Sequence, residues 1–201
     1  MMNMKTFFYS TALALSAAVL TSCHSGPADL TTAPLAGAHV GGPFALTDQD
    51  GRHVTDHDFA GKFKIIYFGY TFCPDACPTD VQHLMAGFRQ FEANDPSAAA
   101  KTQPIFISID PARDTPARLK SFVNAFHPRL IGLTGSESDV ALVAKRYAAV
   151  YQRGKPNAAG QYLVDHSRVA MLFGPEGQPI MILNQSGSPV QIAGELATWV
   201  R

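Results

Sequence analysis

Cysteine is scarce in this chain: there are three in 201 residues, at positions 23, 73 and 77. A closed structural zinc site takes four ligands, and the sequence offers no second cysteine pair to build one. A staple between Cys73 and Cys77 would close a very short loop in a chain long enough to bury a core without help. An excess of one charge is also missing. Sixteen basic residues face sixteen acidic ones, with no Lys/Arg block, so the basic footprint of a nucleic-acid binder is absent. There is no internal repeat and no heptad pattern, which argues against a repeat array or a coiled coil. Long apolar runs are lacking as well. The N-terminal run from Phe7 to Leu20 is 14 residues, short of the roughly 20 that a membrane span needs.

That run has the form of a secretory h-region behind the single basic residue Lys5. It ends in Leu20-Thr21-Ser22-Cys23, which resembles the lipobox of bacterial lipoproteins, in which the cysteine is lipidated and becomes the first residue of the mature chain. An ordinary signal peptide with an incidental cysteine is the other reading. On the lipobox reading, residues 1–22 are a lipoprotein signal peptide. Cys23 is the lipidation site, and residues 23–40, rich in Gly, Pro, Ala and Thr, form a flexible tether. The folded domain is then 41–201. It is expected in the bacterial cell envelope, lipid-anchored to a membrane and facing the periplasm or extracytoplasmic side, where disulfides are permitted.

From residue 41 onward, apolar runs and helical patterns alternate. Asp50-Gly51 between two short extended pieces signals an N-terminal β-hairpin. "FKIIYFGY" (63–70) and "PIFISID" (104–110) read as strands buried on both faces. Residues 78–93 carry Val81, Leu84, Met85, Phe88 and Phe91 at helical spacing behind Pro78. A second helix opens at Asp114 or Thr115 and presents Leu119, Phe122, Val123 and Phe126, and a third runs from Ser136 to Tyr147. A short strand is expected over 129–135, a turn between "AVYQRG" and "YLVDHS", a hairpin around "GPEGQ", and a last helix from Ser188-Pro189. The element order implies an α/β fold, a mixed sheet flanked by helices with an N-terminal β-hairpin; a strand–Cys–helix junction with a second cysteine nearby, at residues 67–80, resembles the thioredoxin-like layout.

The stretch "YFGYTFCPDACPTD" (67–80) sits where the first central strand ends and the next helix begins, the end of an open α/β sheet at which ligands bind. A helix N-terminus there stabilises a thiolate. The spacing is C-x-x-x-C, one residue longer than the redox C-x-x-C. On helical geometry, residues four apart share a face, so both sulfurs can address one point. That suits a disulfide, and it equally suits a soft ion such as Cu(I). A metal needs a further ligand. Of the seven histidines, His166 in "YLVDHSRVAMLF" stands out, because it lies where a late strand can bring it to the same end of the sheet.

Together "YFGYTFCPDACPTD", "SIDPARDTP" (108–116) and "YLVDHS" (162–167) resemble the Sco/SenC family, whose members are membrane-anchored thioredoxin-like proteins that help build the copper centre of cytochrome c oxidase. The resemblance implies copper, as Cu(I) and Cu(II), held by Cys73, Cys77 and His166. It also implies a metallochaperone rather than an enzyme, with the copper-accepting subunit of cytochrome c oxidase as partner and a periplasmic copper donor beside it. A monomer is assumed. The alternative is a thiol–disulfide oxidoreductase that uses Cys73 and Cys77 to keep the target's cysteines reduced; a peroxidase of the same fold lacks a recognisable peroxide-activating environment. Asp75 is either a fourth donor for oxidised copper or a loop carboxylate facing water. Asp110, Arg113 and Asp114 either brace the site or make a turn and cap a helix. Asp165 is placed to orient His166, although neighbouring side chains on a strand point to opposite faces.

Overall fold

The structure, a computed structural model, describes residue 26 and residues 28–201. The signal segment and Cys23 lie outside the described residues. In chain order the elements begin with β1 (Ala45–Asp48), β2 (His53–Thr55), β3 (Phe63–Gly69), α1 (Ala76–Asn94), α2 (Pro96–Ala100), β4 (Thr102–Ser108) and α3 (Pro116–Phe126). They continue with β5 (Ile131–Thr134), α4 (Glu137–Arg146), β6 (Tyr151–Arg153), β7 (Val164–His166), β8 (Ala170–Phe173), β9 (Pro179–Leu183) and α5 (Pro189–Trp199).

Seven strands form one mixed sheet in the order β2-β1-β5-β4-β3-β8-β9. The central neighbours β3, β4 and β5 run parallel, while β1 and β8 join them antiparallel. Every residue of β3 and β4 is buried, as a continuous apolar run demands of a strand covered on both faces. One face carries Tyr67 and Phe106, and Phe122 of α3 packs on Phe106 with ring centroids 4.9 Å apart. The other face carries Phe68 and Phe173, both against Tyr147 at the end of α4. Helix α1 lies on the first face and packs against α5. The approach is close enough that a Cβ on Gly87 would meet Ile192 Cγ2 at 2.4 Å, so only glycine fits there. The strands β6 and β7 form a separate two-stranded ribbon, with Tyr151 opposite His166. No helix among the described residues is long and apolar enough to cross a membrane.

Several boundaries move. Helix α1 begins at Ala76, two residues before the expected start, and Thr115 rather than Asp114 caps α3 by accepting from the Arg118 N–H. The short helix α2 was not expected; Asp95 caps it through the N–H groups of Ser97 and Ala98, ahead of Pro96 in its first turn. The larger correction concerns the tether. Residues 30–40 follow the domain instead of swinging free: Ala33 is buried, Leu35 N–H donates to the Ile180 carbonyl of β9, and Gly41 N–H donates to the Arg146 carbonyl. Composition hid this, because the segment is held by single contacts, one backbone bond to β9 and the scattered side chains Leu30, Ala33 and Val40 against the core, which leave no apolar period to read.

Helix α4 ends in a Schellman motif: Ala149 N–H donates to the Ala144 carbonyl and Ala148 N–H to that of Lys145. The αL position of the motif belongs to Ala148, at φ 53°, where glycine normally stands. An L-residue there costs about 1–2 kcal/mol, partly offset because glycine is freer in the unfolded chain. The variant Ala148→Gly should therefore gain about 0.5–1 kcal/mol, read as a raised midpoint in chemical denaturation at unchanged slope; a lowered midpoint would show that the strain is absent.

Candidate metal centre

Strand β3 delivers the chain to the rim of the sheet, and Tyr70, Thr71 and Phe72 turn it toward α1. The cysteines do not share a helix, contrary to the spacing argument. Cys77 is the second residue of α1, whereas Cys73 lies two residues ahead of its N-cap, Asp75. Convergence is achieved by the turn instead, with Cys73 N–H bonded back to the Tyr70 carbonyl and Cys73 Sγ accepting the Cys77 N–H at 3.4 Å. The exposed N–H groups of a helix start thus point at a sulfur.

The third group arrives from β7. His166 Nε2 lies 3.1 Å from Cys77 Sγ, and one ligand atom from each of Cys73, Cys77 and His166 falls within 4.8 Å of the others. The other ring nitrogen, Nδ1, is 3.0 Å from the Ser167 carbonyl oxygen. A carbonyl only accepts, so in the neutral ring Nδ1 carries the proton and Nε2 presents its lone pair to the sulfurs. Burial lowers the His166 pKa from its ordinary value, outweighing the Ser167 carbonyl, so the ring is neutral near pH 7. Tyr67 and Tyr70 meet this ring edge-on, with centroids 6.3 and 6.0 Å away, and fix its plane. Tyr70 also accepts the Val164 N–H through its hydroxyl, which ties the ribbon to the sheet rim.

The two thiols are unequal. Burial raises the pKa of Cys77 strongly; the Tyr70 backbone bond lowers it, and a charge on Cys73 raises it further. Cys73 is also pushed up by partial burial, yet the backbone N–H groups of Cys77, Asp75 and Ala76 outweigh that and hold it below the ordinary thiol value. Cys73 is therefore the thiolate-prone, accessible sulfur and Cys77 the buried, protonated one.

The acidic loop hydrogen-bonds to the turn that carries Cys73 and to the approach to β7. Asp114 is fully buried and accepts from Thr71 N–H at 3.0 Å, Thr71 Oγ1 at 2.6 Å and Ser108 Oγ at 2.6 Å, so it holds the turn that presents Cys73. Asp110, equally buried, accepts from Arg113 Nε and from the Tyr162 hydroxyl. Arg113 also donates to the Tyr162 carbonyl and lies 3.6 Å above the Tyr162 ring. This group ties the end of β4 to the approach to β7, and thereby to His166. Asp75 and Asp165 stand apart from the cluster. Asp75 is exposed at the helix cap and outside the ligand cluster. Asp165 is exposed on the opposite face of β7, and the Ser167 carbonyl takes the role of orienting His166.

Sequence reading missed Asp80, Tyr67 and Arg168. Asp80 is buried three residues beyond Cys77, accepts the Tyr67 hydroxyl at 2.8 Å, and receives the Arg168 guanidinium from two residues beyond His166. The available signal was an acidic residue next to Val81 on the apolar face of α1. In the reduced, metal-free protein, limiting iodoacetamide should modify Cys73 well before Cys77, with a rate that rises through a midpoint below the free-thiol value of about 8.5. Peptide mapping that found equal modification would contradict the asymmetry.

Comparison with known proteins agrees with this geometry. A family model described as SCO1/SenC matches residues 32–201. The chain is 36% identical over 162 residues to the mitochondrial Protein SCO1 homolog of Homo sapiens, covering 81% of this chain and 53% of that protein. It is 44% identical over 150 residues to mitochondrial Protein SCO2 of Saccharomyces cerevisiae, covering 73% and 48%. The chain thus spans about half the length of these curated relatives. Among solved structures it is similar to Bradyrhizobium japonicum ScoI with copper bound, at TM-score 0.72 and 38% identity over 80% of this chain and 99% of that one. Yeast Sco1 with copper bound follows at TM-score 0.71 and 37% identity, over 79% and 86%. With its family match running from residue 32 to the C-terminus and the two cysteines and histidine drawn to one point, this chain belongs to the SCO1/SenC family.

Proposed function

We propose that this chain binds one copper ion through Cys73, Cys77 and His166 and passes it to the copper-accepting subunit of cytochrome c oxidase for the binuclear copper centre. The carrying observation is the ligand set itself: two sulfurs and one imidazole lone pair within 4.8 Å, with the tautomer pinned from behind. Soft sulfur donors favour Cu(I) over harder ions, and the imidazole suits both oxidation states of copper. The copper-bound relatives support the same choice of metal. Copper is the cargo. Cys73 is half-exposed at the rim, so an incoming ligand can replace it first while Cys77 and His166 retain the ion. The lipobox reading of Leu20–Cys23 places this exchange at a membrane surface outside the cytoplasm, with the protein acting as a monomer and loaded by a periplasmic donor.

The unequal thiols favour a second activity at the same site. Cys73 thiolate attacks a target disulfide and forms a mixed disulfide, with one target sulfur leaving as thiolate. Cys77 then gives up its proton, to His166 Nε2 at 3.1 Å or to water, and attacks Cys73, which releases the target dithiol and leaves the Cys73–Cys77 disulfide. Two electrons pass from the chain to the target. Copper needs His166 as a ligand, whereas the exchange uses it only as one acceptor of a proton that water can also take, so the two activities separate on one substitution.

Copper titration of the reduced soluble domain should give one ion per chain, and either Cys73→Ser or Cys77→Ser should abolish stoichiometric binding. His166→Ala should weaken copper by at least about tenfold, the lower bound set by the effect of removing a mere outer partner of a metal ligand. The same variant should still reduce a disulfide-bonded peptide. Copper binding that survived His166→Ala unweakened in both oxidation states would remove the three-ligand site.

A further inference from the structure

The ribbon that bears His166 is outside the main sheet, and the chain re-enters it only at Ala170, paired with Tyr67, so strand pairing brings His166 near the rim without setting its distance from α1. Something else must set the 3.1 Å separation between Cys77 Sγ and His166 Nε2. The Asp80–Arg168 pair has the right connections. Asp80 stands one turn below Cys77 on α1, and Arg168 stands two residues beyond His166. Their grip is two-pronged: Nε to Oδ2 at 2.9 Å and Nη2 to Oδ1 at 2.5 Å. The Tyr67 hydroxyl holds Oδ2 from the sheet side at 2.8 Å, so the carboxylate cannot swing. The two links, Cys77 to His166 and Asp80 to Arg168, thus close a small ring between α1 and the start of β8.

The chemistry of the pair suits a clasp. A guanidinium fork meeting a carboxylate through two parallel bonds fixes orientation as well as distance, which a lysine ammonium cannot do. Asp80 is 1% exposed while the Arg168 side chain is about half exposed, so the carboxylate is the fixed socket and the arginine the arm that reaches it. Other ties hold the ribbon farther from the ring: Tyr70 at Val164, and Asp110 with Arg113 at Tyr162. Arg168 follows His166 in the chain, where the Gln185 side chain bonds its carbonyl and Ala170 enters the sheet, and its side chain is the group in this stretch that reaches α1 beside Cys77.

We propose that Asp80 and Arg168 are positioning residues that hold the His166 imidazole against Cys77 before metal arrives, and so set how firmly the third ligand engages copper. This rests on the Cys73–Cys77–His166 reading of the site. Neither residue touches the metal. Pre-placing the ring removes an ordering step from binding. The effect should fall mostly on Cu(II), because two thiolates alone still suit Cu(I).

The test compares the unaltered domain with Arg168→Gln, Arg168→Lys, the neutral pair Asp80→Asn/Arg168→Gln, and His166→Ala, using Cu(I) and Cu(II) ions as probes. In the metal-free proteins, the His166 ring resonances should be single and sharp in the unaltered domain, and shifted and broadened in both glutamine variants. Cu(II) affinity should drop about 10–100-fold in those variants, with a changed thiolate-to-copper absorption band, while Cu(I) affinity changes less. Arg168→Lys should restore little, because a point charge does not reproduce the fork. If Arg168→Gln fails to fold with Asp80 left unpaired, the neutral pair decides the matter, since it buries no lone charge. Unchanged ring resonances and Cu(II) spectrum in a folded neutral pair would overturn the clasp. Should His166→Ala itself bind both ions as tightly as the unaltered domain, the ligand assignment fails first and the clasp loses its object.

Discussion

The bond between His166 Nδ1–H and the Ser167 carbonyl determines what this site can do. It places the imidazole lone pair on Nε2, toward the sulfurs, in a pocket that keeps the ring uncharged. With the opposite tautomer, Nε2 would present a proton to Cys77, and the cluster would be two thiols beside a hydrogen-bond donor. The backbone of one residue therefore converts a buried histidine from a packing group into a metal donor, without any help from the adjacent Asp165.

Around that bond the fold assembles its parts in the order the physics requires. The fully buried strands β3 and β4 end at the same rim, and their ends carry the turn with Cys73 and the loop with Asp110 and Asp114. Asp114 satisfies Thr71 and Ser108, so a turn rich in polar backbone stays rigid beside an apolar core. Helix α1 contributes its N–H groups to Cys73 and its first turn to Cys77. The ribbon then supplies His166 from outside the sheet. One half of the site with two sulfurs thus faces a second half with one nitrogen, joined to it by side-chain bonds from Tyr70, Arg113 and Arg168.

Much of this was legible in the sequence, for identifiable reasons. The central strands were visible because strands buried on both faces read as unbroken apolar runs. Four of the helices were visible because Thr115-Pro116, Ser136 and Ser188-Pro189 mark three starts and Pro78 lies in the first turn of α1. Cys73, Cys77 and His166 were found from motif order and resemblance, but the reason first given for the two sulfurs meeting, a shared helical face, was wrong; a turn ahead of the helix brings them together. Interactions between side chains far apart in the chain left no periodic trace. Asp80 with Arg168 spans 88 positions, and Arg113 reaches Tyr162 across 49, so neither could be paired by local pattern. The packing of residues 30–40 was hidden for the same reason, since it rests on one backbone bond to β9 and a few unevenly spaced side chains against the core.

The central claim is that one imidazole nitrogen joins two sulfurs on a single copper ion. X-ray absorption at the copper edge of the Cu(I)-loaded reduced domain tests it most directly. The account predicts an ion with two sulfur neighbours and one nitrogen neighbour whose imidazole scattering disappears in His166→Ala. A first shell of sulfur alone, identical in the unaltered protein and in that variant, would contradict it.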